Sequence, residues 1–250
     1  IGIKHYVLNY ESIFKKEVME NFAESYANGF TPVPCVRCNQ TVKFRDLYEA
    51  AKKLNAKFLA TGHYVRKIED ELYTGMDKAK DQSYFLFQTT REQLEFLEFP
   101  LGEMDKAQTR ELATKYGLSL ASKPDSQDIC FVPDGDYAKV VRSIKGESAF
   151  KKGDIVDVKT GEKLGEHEGI INYTIGQRRR IGVHSMVPLY VIKIDARANK
   201  IFVGTEEFLQ KTKCEIEDFN MLSKEIDFEN LSVKVRSSGG FIPCNFDYKN

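Results

Sequence analysis

The stretch FRDLYEAAKKLNAKFLATGH, residues 44–63, decides the fold. Phe44, Leu47, Ala51 and Leu54 recur at helical spacing, so residues 44–54 predict a helix with one apolar face. KFLAT, residues 57–61, is a short apolar run that reads as a buried strand ending at Gly62-His63. Upstream, residues 6–8 read as a short strand. Residues 11–26 read as a helix with Ile13, Phe14, Val18, Phe22 and Tyr26 on one side and Asn28-Gly29 as its stop. Strand–helix–strand order predicts a parallel α/β sheet. Ligands of such sheets bind beyond the carboxyl ends of the strands, which makes Gly62 and His63 a natural ligand position.

Downstream, residues 64–68 and 71–74 predict a hairpin. Residues 91–97 and 106–116 predict helices, the second closed by Gly117. Residues 77–87 pass from polar to aromatic, and a loop over 122–133 follows the second helix. The texture then changes. Gly153, Gly161, Gly165, Gly169, Gly176 and Gly182 punctuate short β-branched runs, predicting a small, mostly β domain over residues 144–208. Alternation in LSVKVR and FIPCNF predicts a further β unit over 209–250. The expected organisation is an α/β portion over 1–143, a β domain over 144–208 and the start of a third domain over 209–250.

The 37 basic and 37 acidic side chains balance, so a nucleic-acid surface has to be a local patch. The densest is Gln177-Arg178-Arg179-Arg180, which reads either as a phosphate-gripping turn or as a solvated basic turn. No apolar run approaches the ~20 residues that span a bilayer, and residues 1–10 lack the layout of a signal peptide. No membrane association and a cytoplasmic location are the expectations. The opening IGIKHYVLNY reads as mid-domain sequence and FDYKN as a break after a strand-like stretch, so sequence is expected beyond both ends.

Five cysteines do not make a secreted-type disulfide framework. TPVPCVRCNQTVKF, residues 31–44, sets Cys35 and Cys38 in a C-x-x-C pair behind a proline-stiffened loop. A zinc site needs two more ligands, and neither a second C-x-x-C nor an H-x-x-x-H is present. A redox dithiol would sit in thioredoxin-like surroundings, which are absent. A sulfur-handling nucleophile would have its thiolate favoured by Arg37 and by the N–H groups of a helix starting near Thr41. A pair of buried thiols is the plain alternative. Cys130 lies in DSQDICF, where Asp125, Ser126 and Asp128 favour turns. Cys214 and Cys244, in β-like contexts, read as core-filling. Lys80-Asp81-Gln82, taken alone, reads as a solvated loop.

TPVPCVRCNQTVKF, LATGHYVRK, DKAKDQSYFLF, KPDSQDICFV, GEHEGIINYTIGQRRRIGV and VKVRSSGGFIPC occur in the order of their counterparts in tRNA-specific 2-thiouridylases (the MnmA/TrmU family), and the chain resembles that family over essentially its whole length. The resemblance implies a PP-loop (adenine nucleotide alpha-hydrolase-like) Rossmann-type domain, a small, mostly β central domain and a C-terminal β-barrel. It implies a transferase that puts sulfur on C2 of the wobble uridine of tRNAs for Lys, Glu and Gln. The implied substrates and partners are ATP with magnesium, tRNA, and a sulfur-relay protein that delivers a persulfide. By motif position, Cys38 matches the nucleophile and Cys130 the persulfide carrier, joined in a transient disulfide. Gly62 matches an ATP-contacting glycine. Val33, Pro34 and Cys35 match the segment that meets the target base, while His63, Lys80, Asp81, Gln82, Arg236 and Ser237 match tRNA contacts. Two departures stand out. Val33 and Cys35 replace the Asn and Asp of some members, and three thiols at Cys35, Cys38 and Cys130 make a [4Fe-4S] cluster an alternative chemistry. The S-G-G-V-D-S-type phosphate loop and the end of the barrel are absent from these 250 residues, so this piece alone is expected to be inactive, and a non-catalytic tRNA-binding relative is the alternative of a different class.

Overall fold

The computed structural model describes residues 3–119 and 129–247. In chain order, helix α1 (residues 11–27) passes from Glu11–Phe14 through a wider π-type stretch, Lys15–Glu20, into Asn21–Ala27. Helix α2 (residues 34–53) does the same through Pro34–Cys38, Asn39–Leu47 and Tyr48–Lys53. Strands β1 (Leu59–Ala60), β2 (Val65–Ile68) and β3 (Glu71–Thr74) follow. Next come α3 (Arg91–Phe96), β4 (Leu97–Glu98), α4 (Lys106–Lys115) and α5 (Tyr137–Lys145). The remaining strands are β5 (Gly153–Asp157), β6 (Lys163–His167), β7 (Tyr190–Asp195), β8 (Lys200–Gly204), β9 (Ser232–Val233) and β10 (Ile242–Pro243). The chain forms two compact units, Ile1–Pro34 with Ser126–Glu217, and Cys35–Asp125 with Asp218–Asn250.

The first unit is built on a four-stranded sheet in the order β6-β5-β8-β7, with β5 and β8 parallel and the outer pairs antiparallel. Alternation puts Ile155, Val191, Ile201 and Val203 on the covered face, all at 0% exposure. Helices α1 and α5 supply the opposing layer through Phe22, Ala23, Tyr26 and Val141. The apolar spacing of residues 11–26 therefore makes a helix as expected. It stops where Gly29 takes φ +79° and Phe30 N–H returns to the Ser25 carbonyl at 2.9 Å.

The second unit is α/β. Strands β1 and β4 pair in parallel through Leu59–Leu97 and Ala60–Glu98, with α3 in the crossover. The β2–β3 hairpin forms as expected. Phe44, Val65, Leu86, Leu94, Leu97 and Phe99 make its core. Helices α3 and α4 are each begun by a capping box, Thr90 with Gln93 and Asp105 with Gln108. Gly117, at φ +65°, closes α4. The C-terminal segment contributes the two-stranded β9–β10 ladder, and no closed barrel is formed by the described residues.

Two local expectations fail. Residues 6–8 are not a strand: Val7 is 84% exposed, and no strand among the described residues pairs with this segment. Residues 57–61 are not a buried strand either. Only Leu59 and Ala60 form ladder pairs, only Leu59 and Thr61 are partly covered, and Phe58 is 56% exposed. A strand with a single neighbour keeps an open edge, so its apolar run is only half used.

Candidate active site

Helix α2 carries the C-x-x-C. It begins at Pro34, not near Thr41 as the sequence suggests, because proline fits the first helical position, where its missing N–H is not needed. Both cysteines thus lie inside the helix, one turn apart on one face. Cys35 is exposed in the first turn, and Cys38 is half-buried a turn later. The segment around Cys38 is fixed by polar bonds. Asn39, 3% exposed, donates from Nδ2 to the Phe85 carbonyl at 3.0 Å. Arg37 Nη1 donates to Gln40 Oε1 at 3.0 Å, and Gln40 Nε2 to Gln88 Oε1 at 2.9 Å. Thr41 Oγ1 donates to the Arg37 carbonyl at 2.8 Å. Val33, just ahead of the helix, is exposed and Pro34 is buried.

At the carboxyl end of β1, Gly62 is exposed. A Cβ there would meet nothing nearer than Leu101 Cδ1 at 3.7 Å, so the protein itself does not demand glycine at this position. An open backbone of this kind permits close approach of a ligand. His63 is half-buried, with Nδ1 2.8 Å from Thr61 Oγ1 and its ring edge-on to Phe44 and Phe99. Burial, and secondarily the charge of Lys43, pull its pKa down to about 4. It is a neutral imidazole at physiological pH, able to hydrogen-bond a base or sugar but not to pair with a phosphate by charge.

Asp81 is not in a solvated loop. Its side chain is 4% exposed and gathers four donors. Oδ1 accepts from the N–H groups of Gly75 at 3.0 Å and Ser83 at 3.2 Å. Oδ2 accepts from Ser83 Oγ at 2.8 Å and from Lys234 Nζ at 3.3 Å. Burial is the largest single influence and pushes the carboxyl up, but the donors together outweigh it and hold it below the usual carboxylate range. Gln82 makes a reciprocal pair with Tyr64: its N–H donates to the Tyr64 carbonyl at 3.1 Å, and its Oε1 accepts the Tyr64 N–H at 2.9 Å. Asp81 and Gln82 thereby tie the loop after β3 to the start of β2, one residue beyond His63. Lys80 is half-buried, and its N–H donates to the Asp77 carbonyl at 3.0 Å. Arg236 and Ser237 sit at an exposed turn closed by Gly239 N–H to the Arg236 carbonyl at 3.0 Å. Lys234 and Val235, the latter accepting from Tyr84 Oη at 3.3 Å, bring that turn to the Asp81 loop. The second unit thus assembles Lys80, Asp81, Gln82, Arg236 and Ser237 around one region. Sequence reasoning missed Lys234 and Thr61, although Asp81-x-Ser83 is a recognisable Asx-turn spacing.

Cys130 belongs to the first unit. Residues 120–128, which include Asp125, Ser126 and Asp128 and the first part of the expected loop, lie outside the described residues. Cys130 itself is exposed on a tight turn in which Val132 N–H donates to the Ile129 carbonyl at 2.8 Å. Its neighbours are anchored. Phe131 meets Phe14 and Phe22 edge-to-face at 5.8 and 5.2 Å, and Val132 is 1% exposed. Cys214 is exposed and Cys244 half-buried, so neither fills a core as expected. No disulfide is formed among the described residues. No three His, Cys, Asp or Glu side chains among them converge in a way that could hold a metal ion, and the cluster alternative has no support from them.

An α/β unit with a parallel strand pair, together with a four-stranded β unit, defines a two-part protein. The family profiles agree: the tRNA methyl transferase HUP domain matches residues 1–134 and the tRNA methyl transferase PRC-barrel domain residues 142–205. Over 245 residues the chain is 58% identical to the tRNA-specific 2-thiouridylase MnmA of Rickettsia massiliae, covering 95% of this chain and 67% of that protein. The protein of the same name from Rickettsia prowazekii is 56% identical over 250 residues, covering 98% and 69%. The chain belongs to the tRNA-specific 2-thiouridylase family.

Proposed function

We propose that this chain is part of an ATP-dependent tRNA sulfurtransferase that 2-thiolates the wobble uridine of tRNAs for Lys, Glu and Gln. The observation that carries this reading is 58% identity, sustained over 95% of the chain, to a relative named for tRNA-specific 2-thiouridylation. Residues 1–143 act as the nucleotide-dependent catalytic portion, 144–208 as the central domain and 209–250 as the beginning of the third. ATP supplies the activation of the C2 oxygen as an adenylate, and Gly62 leaves room for the nucleotide. The remaining chemistry belongs to the thiols.

A sulfur-relay partner loads Cys130 as a persulfide. Its exposed position on an anchored turn suits transfer from another protein's sulfur. The terminal sulfur bonds to C2, and AMP leaves with the former C2 oxygen. The Cys38 thiolate attacks Sγ of Cys130, the S–S bond of the persulfide breaks, and the sulfur stays on the base. The product on the enzyme is a Cys38–Cys130 disulfide, which an external dithiol reduces with two electrons. His63, neutral, and Lys80, Asp81, Gln82, Arg236 and Ser237 position tRNA, with Val33, Pro34 and Cys35 at the target base. Within this set Asp81 acts by shaping the loop, since its carboxylate is turned inward. The reaction takes place in the cytoplasm.

The test uses the full-length protein. Cys38→Ser and Cys130→Ser should each abolish 2-thiouridine, measured by mass spectrometry of digested tRNA. Near-normal activity in either variant rules out the two-thiol mechanism.

A further inference from the structure

The first unit carries a feature that the proposed chemistry does not use. Residues 176–182 form a turn holding Arg178, Arg179 and Arg180 between two glycines, Gly176 at φ +84° and Gly182 at φ +89°. The backbone of this turn is fixed from both sides. Gly176 N–H donates to the Val191 carbonyl at 2.8 Å, and Val191 N–H donates to the Gln177 carbonyl at 2.9 Å, which ties the turn to β7. Gln177 bridges it internally: Oε1 accepts the Thr174 N–H at 3.1 Å, and Nε2 donates to the Arg179 carbonyl at 2.9 Å. At the far end Tyr173 Oη donates to the carbonyl of Ile181, a residue 5% exposed in the core. Arg180 is held at φ +60°, a conformation that costs a side-chain-bearing residue energy and persists only where the surroundings impose it.

All three arginines are exposed, and none has an acidic partner among the described residues. Several other basic side chains of the same unit are paired: Lys163 with Asp154 and Glu166, Lys152 with Glu168, Arg142 with Glu147. Arg178 and Arg180 flank a shallow hollow of about 210 Å³ floored by Ile181, Val183 and Leu189. A second hollow of about 280 Å³ shares Ser185, Val187 and Leu189 with the first and continues it to Lys159 and His184. Its two acids are already engaged. Asp157 accepts the N–H groups of Lys159 and Thr160, both at 2.8 Å, and Glu207 accepts Thr205 Oγ1 at 2.7 Å. The hollow beside the arginines has no aromatic ring on which a free nucleotide base could stack. Three guanidinium groups without acidic partners, carried on a fixed backbone turn beside a shallow surface, fit a polyanion lying across it.

We infer that the arginine turn 176–182 binds the phosphodiester backbone of RNA, as a contact independent of base sequence. Taking that RNA to be tRNA rests on the proposed function. Such a contact releases counterions, so log K falls with log[salt] by ~0.7–0.9 per phosphate engaged.

The experiment measures binding of an unmodified tRNA transcript to the full-length protein by fluorescence anisotropy across a salt series. The protein is compared with R178Q/R179Q/R180Q and with R178K/R179K/R180K. The glutamine variant should bind roughly 10- to 100-fold more weakly at low salt, with its salt slope reduced by about 2, and the lysine variant should keep the slope. Because the lysine variant changes the same exposed positions, it separates lost charge from lost folding. A glutamine variant with unchanged affinity and slope overturns the inference, and 2-thiouridine formation by the same wild-type protein then shows that the proposed function stands without it. An arginine-dependent slope in a wild-type protein that makes no 2-thiouridine leaves the contact and removes the function. A wild-type protein that binds no RNA overturns both.

Discussion

The turn that presents Cys130 and the loop that carries Lys80, Asp81 and Gln82 are both irregular backbone, yet they are held by different physics. The Cys130 turn is fixed by apolar burial, through Phe131 set edge-on against Phe14 and Phe22 and through Val132 in the core. The loop from residue 75 to 83 is fixed by polar bonds, chief among them a buried carboxylate with four donors. Apolar burial is largely non-directional and indifferent to pH, and it leaves the thiol of Cys130 exposed. A buried carboxylate dictates direction for each donor but depends on remaining charged. The proposed role of Cys130, accepting sulfur from another protein, is well served by the first arrangement. A surface that must present several side chains in register is served by the second.

The largest test of this contrast is Phe22→Ala. Phe22 is 1% exposed and touches Phe131, Tyr26 and Tyr137. Its truncation should cost about 3–5 kcal/mol in chemical denaturation, with a cost that hardly changes with pH. A loss below about 1 kcal/mol would show that the Cys130 turn is not held by this cluster.

Asp81→Ala should cost less, about 2–4 kcal/mol, because it leaves Lys234 without its acid partner and two backbone N–H groups without an acceptor. Here pH matters. The folded-state carboxyl lies below its usual range, so its contribution is present above the unfolded pKa near 3.8 and is lost as pH falls through the lower folded value. Wild type should therefore lose stability relative to Asp81→Ala only in that acid window. Parallel pH–stability curves for the two proteins would contradict the assignment.

Much of the fold was legible because local patterns suffice for it. The spacing of Phe14, Val18, Phe22 and Tyr26, the Asn28-Gly29 stop, the 65–74 hairpin and the Gly117 cap all depend on residues close in sequence. What was illegible depends on distant partners. Amphipathicity announces that α1 buries a face but not that the partner is a sheet more than a hundred residues downstream. Pro34 looked like a loop stiffener and is a helix start, which moves Cys35 and Cys38 into the helix. In the candidate site, the resemblance named Asp81 and Gln82, but only the structure shows that both bond inward, because Lys234 lies 153 positions away along the chain.

His63 sharpens the comparison last, since it combines both kinds of environment. Its ring is packed against Phe44 and Phe99 while Nδ1 holds Thr61. Burial lowers its pKa to about 4, so the folded protein resists protonation that the unfolded chain accepts near 6.5. Its neutral state thus favours folding above pH 6.5, and that advantage drains away as pH falls from 6.5 towards 4. Because the ring is only half-buried, the effect should be no more than about 2 kcal/mol. The direct measurement is the Cε1 proton resonance of His63 by NMR, which should show no titration step between about pH 5 and about pH 8. His63→Gln should flatten the stability curve over that range without the acid-window change seen for Asp81→Ala. A normal titration near 6.5 would mean that water reaches the whole ring and would contradict the packing that holds it neutral.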